Sequence, residues 1–183
     1  MDTPSIELLK SNHKKSIKEV VIRILWYLLW KSLASWTPRF CNVWRIFLLR
    51  SFGAKIGTKV LVLGGVWVDM PWNLEIGDFS AIGSNVWIYN FAQVTIGRNT
   101  VVSQNTTLCT ASHDYSHPHM TLYWKPITIE NQVWVAADCF VMPNVVIREG
   151  AVIGARSVVT KDMPEWMICA GNPCKPLKTR VIQ

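Results

Sequence analysis

At 183 residues, half of them apolar, the chain makes one domain with an appendage. Its five cysteines (Cys41, Cys109, Cys139, Cys169 and Cys174) are odd in number and form no C-x-x-C pair. They argue against a disulfide scaffold or zinc knuckle and for a reducing, cytoplasmic setting. The net charge of +7 sits in residues 1–60, which hold eleven Lys/Arg against three acids, so it says nothing about the remainder.

Residues 1–19 are polar, with Lys10, Lys14, Lys15 and Lys18, and read as a frayed start. From Val20 the chain runs VVIRILWYLLWKSLASW. The uncharged run between Arg23 and Lys31 is seven residues, far short of the ~20 needed to span a bilayer. No small-residue cleavage site comes after it, which argues against a signal peptide. Pro38 marks a break. A second helix is expected from about Arg39 to Phe52, with Phe40, Val43, Trp44, Phe47 and Leu48 on one face and Arg39, Arg45 and Arg50 on the rest. Two roles stay open for this 1–52 helical segment. One is a cap on the end of the C-terminal domain, or a contact with a neighbouring subunit. The other is a peripheral contact of residues 20–52 with an anionic membrane surface. A nucleic-acid partner is not expected, because the charge lies in an apolar segment without a polar, aromatic-platform pattern.

From Ile56 an aliphatic residue returns every six positions. The series is Ile56, Val62, Val68; Ile76, Ile82, Ile88; Ile96, Val102, Leu108; then, after an interruption, Ile129, Val135, Val141, Ile147, Ile153, Val159. Four residues after each stands a mostly small or β-branched residue, and Gly57, Gly77, Gly83, Gly97 and Gly154 directly follow an aliphatic one. This is the hexapeptide repeat of a parallel β-helix. Three repeats make one triangular coil with the aliphatic side chains stacked inside, and glycine lets the chain turn tightly at the corners. About five coils at ~4.8 Å give a prism roughly 25 Å tall. Residues 53–183 form this domain, with a loop extruded at 113–126 and a C-terminal tail. Faces displaying Tyr89, Phe91, Val94 and Trp134 are too apolar to stay wet, which points to a homotrimer.

The interruption reads CTASHDYSHPHMTLYWKPIT and holds His113, His117 and His119. A loop extruded from a rigid solenoid is where a site would be built. Three histidines admit a metal site, a general base or a solvated loop. His117 and His119 flank Pro118 well inside the loop and no histidine lies in the repeats, so no metal is expected. His113 follows the last regular strand directly, so its backbone is tied to the coil, as a general base requires.

The ordered motifs Thr110 to His113, Val133-Trp134-Val135-Ala136, Val152 to Asp162 and Ala170 to Pro173 resemble those of the hexapeptide-repeat O-acetyltransferases of the maltose and galactoside group. MPWNLEIGD, VWIYN, LCTASHDYS, VWVAAD and GNPCKP are still more similar to the colanic acid biosynthesis acetyltransferases. The resemblance implies a left-handed coil and acetyl-CoA-dependent O-acetylation of a sugar hydroxyl in exopolysaccharide synthesis, without a covalent intermediate. It implies His113 as general base, Asn90 against the acceptor, and Trp134, Ala155, Thr160 and Lys161 along the pantetheine channel. Lys175, Lys178 and Arg180 would meet the nucleotide phosphates. The apolar N-terminal segment departs from the group, whose polar helical segment shapes the acceptor pocket. Two alternatives remain: a zinc enzyme like the γ-class carbonic anhydrases, which share the fold, and a non-catalytic trimeric scaffold.

Overall fold

A computed structural model describes Ile6 and residues 16–182; of the expected frayed start, Lys10, Lys14 and Lys15 lie outside the described residues, whereas residues 17–19, with Lys18, belong to the first helix. Two helices, α1 (Ile17–Leu33) and α2 (Asn42–Ser51, entered through a 3₁₀ turn at Arg39–Cys41), precede a parallel β-helix with three faces.

The first face stacks the strands Lys55–Ile56, Leu74–Ile76, Val94–Ile96, Ile127–Ile129 and Val146–Ile147. The second stacks Leu61–Val62, Ala81–Ile82, Val101–Val102, Trp134–Val135, Val152–Ile153 and Met167–Gly171. The third stacks Trp67–Val68, Trp87–Tyr89, Thr107–Cys109, Phe140–Val141 and Val158–Val159. All fifteen aliphatic repeat positions are buried. They stand in register from coil to coil: Ile56, Ile76, Ile96, Ile129, Ile147 on one face, Val68, Ile88, Leu108, Val141, Val159 on another. A partial sixth turn continues the columns with Met163 and Cys169, both buried, beyond the five coils expected.

The corners turn differently from expectation. The residue three after the aliphatic one takes the left-handed conformation, at Asn85, Asn99, Asn105 and Asn144 among others; Asn tolerates this region better than most L-residues. The glycine directly after the aliphatic residue has an ordinary backbone and serves close approach instead. A Cβ on Gly83 would lie 2.5 Å from the backbone nitrogen of Gln104 in the next coil. Val94 also differs: it points inward and is buried. All five cysteines are free thiols.

The chain end is not a loose tail. Cys174–Thr179 folds back antiparallel on Met167–Gly171 and closes the edge of the second face.

The N-terminal helices cap the other end. Along the stack, backbone N–H groups donate to carbonyls of the following coil, as Gly57 does to Ile76 at 2.8 Å and Gly77 to Ile96 at 2.7 Å. No earlier coil donates to the first coil's carbonyls at Ile56, Val60, Val62, Val66 and Val68, and side chains of the helices supply the donors. Trp26 Nε1 donates to Val68 O (2.6 Å) and Trp30 Nε1 to Val66 O (2.8 Å) from α1. From α2, Asn42 Nδ2 donates to Val60 O (2.9 Å), Arg45 Nε to Val62 O (2.8 Å) and Arg50 Nη2 to Ile56 O (2.6 Å). The capping role open in the sequence is thus observed, but α2 is turned the other way round from its apolar pattern. Arg45 is fully buried beside Leu48 and Leu49, whereas Phe40, Val43, Trp44 and Phe47 are exposed.

Candidate active site

The extruded segment leaves the solenoid at the corner between the third and first faces of the third coil. It is a hairpin and not an irregular loop: Ala111–His113 pairs antiparallel with Leu122–Trp124, His113 opposite Leu122. Its neck is closed by the backbone of Lys125 donating to Thr110 O at 2.8 Å. The buried Thr110 hydroxyl donates to Tyr89 O and accepts from Ala92 N, both at 3.0 Å. The hairpin is therefore anchored to the coil above at the root of the strand that carries His113.

His113 is exposed, and its Nδ1 lies 2.7 Å from Met120 O across the hairpin. A carbonyl only accepts, so Nδ1 carries the hydrogen and Nε2 holds the lone pair. The tautomer of His113 is thereby selected by the backbone. Asp114 does not orient His113: its carboxylate accepts from the backbone and hydroxyl of Ser116 at 2.9 and 2.5 Å, which holds it below the usual carboxylate range. His117 Nδ1 accepts from His119 N at 3.2 Å. Among the described residues no three His, Cys, Asp or Glu side chains converge as metal ligands would. Cys109 donates from Sγ to Ala111 O at 3.1 Å, and burial pushes its thiol up, the reverse of an activated thiolate.

The other residues singled out in the sequence fall into two groups. Thr160 and Lys161 are exposed on the same corner as His113, two coils further on. Trp134 projects from the second face, the one opposite that corner, with Nε1 donating to Ser103 Oγ at 3.0 Å. Lys175 and Lys178 are exposed on the folded-back strand at the edge of that same face. Ala155 is exposed at the corner between the second and third faces. Within one chain His113 and Trp134 thus point away from each other.

Two residues have work of a different kind. Asn90 is fully buried; its Oδ1 accepts from Met70 N at 2.9 Å, and its Nδ2 donates to Met70 O at 2.6 Å and Asn73 O at 3.1 Å. It is neither left-handed nor open to an acceptor in this structure, and it braces the corner behind the site. Arg180 is half-buried, its Nη1 donating to Gln132 O and Gly150 O, both at 2.9 Å, with the guanidinium over Trp166. It clasps the end of the solenoid rather than offering a free cation.

The repeat pattern gives no hint of a groove on the N-terminal side of the hairpin. Asp69, Tyr89 and Cys109 are the outward residues directly after Val68, Ile88 and Leu108, so they stack coil on coil towards the root of the hairpin. Asp69 Oδ2 accepts from Trp87 Nε1 at 2.7 Å. Trp87, Tyr89 and Phe91 form a run of ring contacts, with centroids 5.4 and 4.8 Å apart, and the Arg23 guanidinium from α1 lies over Phe91. A cavity of about 340 Å³ next to it is lined by Arg23, Tyr27, Trp67 and Asp69 among others. Burial raises the Asp69 carboxyl above its ordinary value, against the pull of the Trp87 hydrogen bond and the Arg23 charge. On the opposite side of the hairpin, Asp114, Thr121, Tyr123, Lys125, Pro143 and Asn144 line a recess of about 500 Å³. The hairpin that carries His113 thus has the aromatic, acidic column on its N-terminal side and this recess on the other.

Residues 126–161 match the family "Bacterial transferase hexapeptide (six repeats)". The chain is 42% identical over 157 residues to WcaF of Escherichia coli K12, provisionally named a colanic acid biosynthesis acetyltransferase, covering 86% of each chain. It is 34% identical to the galactoside O-acetyltransferase of the same organism over 134 residues, 72% of this chain and 66% of that one. Among solved structures it is similar to the hexapeptide-repeat acetyltransferase of Vibrio cholerae O1 biovar eltor in complex with acetyl-coenzyme A. That likeness has a TM-score of 0.84 at 26% identity, over 96% of this chain and 97% of the other.

Proposed function

The chain belongs to the hexapeptide-repeat acetyltransferases, and from that membership we propose direct transfer of acetyl from acetyl-coenzyme A to a sugar hydroxyl, on a polysaccharide repeat unit or its lipid-linked precursor. The relative named for colanic acid biosynthesis supports the polysaccharide class, and the Vibrio complex supports the donor. The observation that carries the mechanism is the Nδ1 of His113 held on Met120 O, which leaves Nε2 to take a proton.

The acceptor hydroxyl attacks the thioester carbonyl while Nε2 of His113 removes its proton. The tetrahedral oxyanion then collapses, the C–S bond breaks, and the departing thiolate takes that proton back from the imidazolium. The products are an acetyl ester and free coenzyme A. No enzyme nucleophile is used, in keeping with the raised Cys109 thiol.

The aromatic groove suits the acceptor. Pyranose rings present C–H faces that rest on Trp67, Trp87 and Tyr89, and hydroxyls that donate to a carboxylate such as Asp69. The coenzyme arrives from the other side, along Thr160 and Lys161 of the copy that carries His113 and along Ala155 of a neighbouring copy, whose exposed Lys175 and Lys178 meet its phosphates. Because Trp134 and the His113 corner face apart on one chain, a wall of Trp134 beside the thioester needs the second face of a neighbouring copy. A heterologous contact of that kind closes as a ring of three.

Mixed assembly tests both ideas. His113→Ala and Trp134→Glu chains, each nearly inactive alone, are co-expressed and purified together. Sites with His113 from one copy and Trp134 from another regain activity in the mixture. A mixture no more active than its components would place each site within a single chain and refute the shared groove.

A further inference from the structure

We infer that the outer face of the helical cap is a docking surface for an anionic lipid bilayer. The capping bonds fix which way the two helices face. Trp26, Trp30 and Ala34 of α1 and its adjoining turn, and Arg45, Leu48 and Leu49 of α2, are buried towards the coil. On the opposite sides the exposed residues are Leu25 of α1, with Ile24 and Leu28 that also border the cavity beside Trp67 and Asp69, and Phe40, Val43 and Phe47 on or before α2. Phe40 is 85% and Val43 78% exposed. Monomeric soluble proteins rarely leave so continuous an apolar surface in water.

Charge selects the occupant. Residues 16–60 carry eight Lys/Arg and a single acid, Glu19. Arg45 is inside, but Lys18, Lys31 and Arg39 are exposed around the apolar side chains. Apolar and aromatic groups rimmed by cations, on helices that lie flat, are what an interfacial helix needs to sink to the acyl boundary and hold anionic headgroups. Among the described residues no helix is long and apolar enough to cross a membrane, so the contact is in the plane of the surface. Copies packed side by side would leave the prism ends uncovered, all facing one plane. The hairpin with His113 leaves the third coil, two coils below the cap, or about 10 Å at ~4.8 Å per coil. Such a distance suits a saccharide on a lipid carrier, but the docking surface stands on its own observations and does not depend on acyl transfer.

The full-length protein is centrifuged with vesicles of phosphatidylcholine, alone or mixed with phosphatidylglycerol. The expected result is binding to the mixed vesicles, weakened by salt. Binding falls by roughly a hundredfold or more in Phe40→Glu/Val43→Glu/Phe47→Glu, whose thermal transition and subunit number stay those of the wild type. Three outcomes overturn the inference: no binding by the wild type, equal binding to both vesicle types, or a triple variant that binds as before. A triple variant with a lower subunit number also overturns it, since the face is then a contact between copies.

Discussion

Replacing His113 separates catalysis from support. His113→Asn keeps an amide N–H where Nδ1 stands and so keeps the bond to Met120 O, seen at 2.7 Å. It removes the proposed base. His113→Ala removes both. Losing one hydrogen bond on an exposed hairpin costs about 1 kcal/mol, or roughly fivefold in rate at 1.36 kcal/mol per decade. Losing a positioned base costs ~10²–10⁴, or roughly 2.7–5.4 kcal/mol. The two effects differ enough to be told apart in a single assay. With acetyl-coenzyme A and a responsive saccharide acceptor, coenzyme release measured by a thiol reagent is expected to fall at least ~100-fold in both variants. KM for acetyl-coenzyme A should stay within about twofold, because uniform binding is untouched. An Asn variant retaining more than about a tenth of the wild-type kcat, beside a slower Ala variant, would reduce His113 to a clasp on the hairpin.

Two further changes probe the groove and the cap. The folded protein holds the Asp69 proton more tightly than the unfolded chain does, because burial raises its carboxyl. Asp69 therefore lowers stability progressively as pH rises from the ordinary value of 3.8 through its raised one, and Asp69→Asn is expected to raise Tm at pH 7 with the gain vanishing at low pH. The same variant should raise acceptor KM roughly tenfold, since a charged acceptor of hydroxyl hydrogen bonds becomes a neutral one; an unchanged KM would remove Asp69 from the acceptor site. Arg45→Leu leaves Val62 O and Thr37 O without their donor and is expected to cost about 3–5 kcal/mol in urea unfolding. A cost below about 1 kcal/mol would show that water or neighbouring donors take over.

The solenoid was legible because one position in six answers a single demand. Each of the fifteen aliphatic residues must fill the same narrow interior, so burial writes its period straight into the sequence. The hairpin was legible only as a lapse in that period. Its strand pairing, and with it the carbonyl that orients His113, depends on Met120, seven residues away and without any distinguishing chemistry in the sequence. The groove was readable in principle, since Asp69, Tyr89 and Cys109 each come directly after an aliphatic repeat residue of the third face. Those outward positions tolerate any side chain that solvent tolerates, so no periodicity marks their column. Asn90 shows the converse: a motif residue with a polar side chain looks like a ligand-binding group until its amide is found between coils.

The orientation of α2 marks where hydropathy gives the wrong sign, and the magnitudes say why. Turned by its apolar pattern, the helix would bury Phe40, Val43 and Phe47, worth about 1.5–3 kcal/mol each. Turned as observed, it brings Asn42, Arg45 and Arg50 onto the carbonyls of Val60, Val62 and Ile56. Each of those carbonyls, left buried without a donor, would cost about 1–3 kcal/mol. The observed orientation also buries Leu48 and Leu49, so part of the apolar area is kept. The open end of a parallel coil thus calls for donors before it calls for apolar area. A cap chosen on that basis must send its leftover apolar residues outward, where only another surface can cover them. The exposed Phe40, Val43 and Phe47 are then a consequence of capping as well as the groups a bilayer would take up.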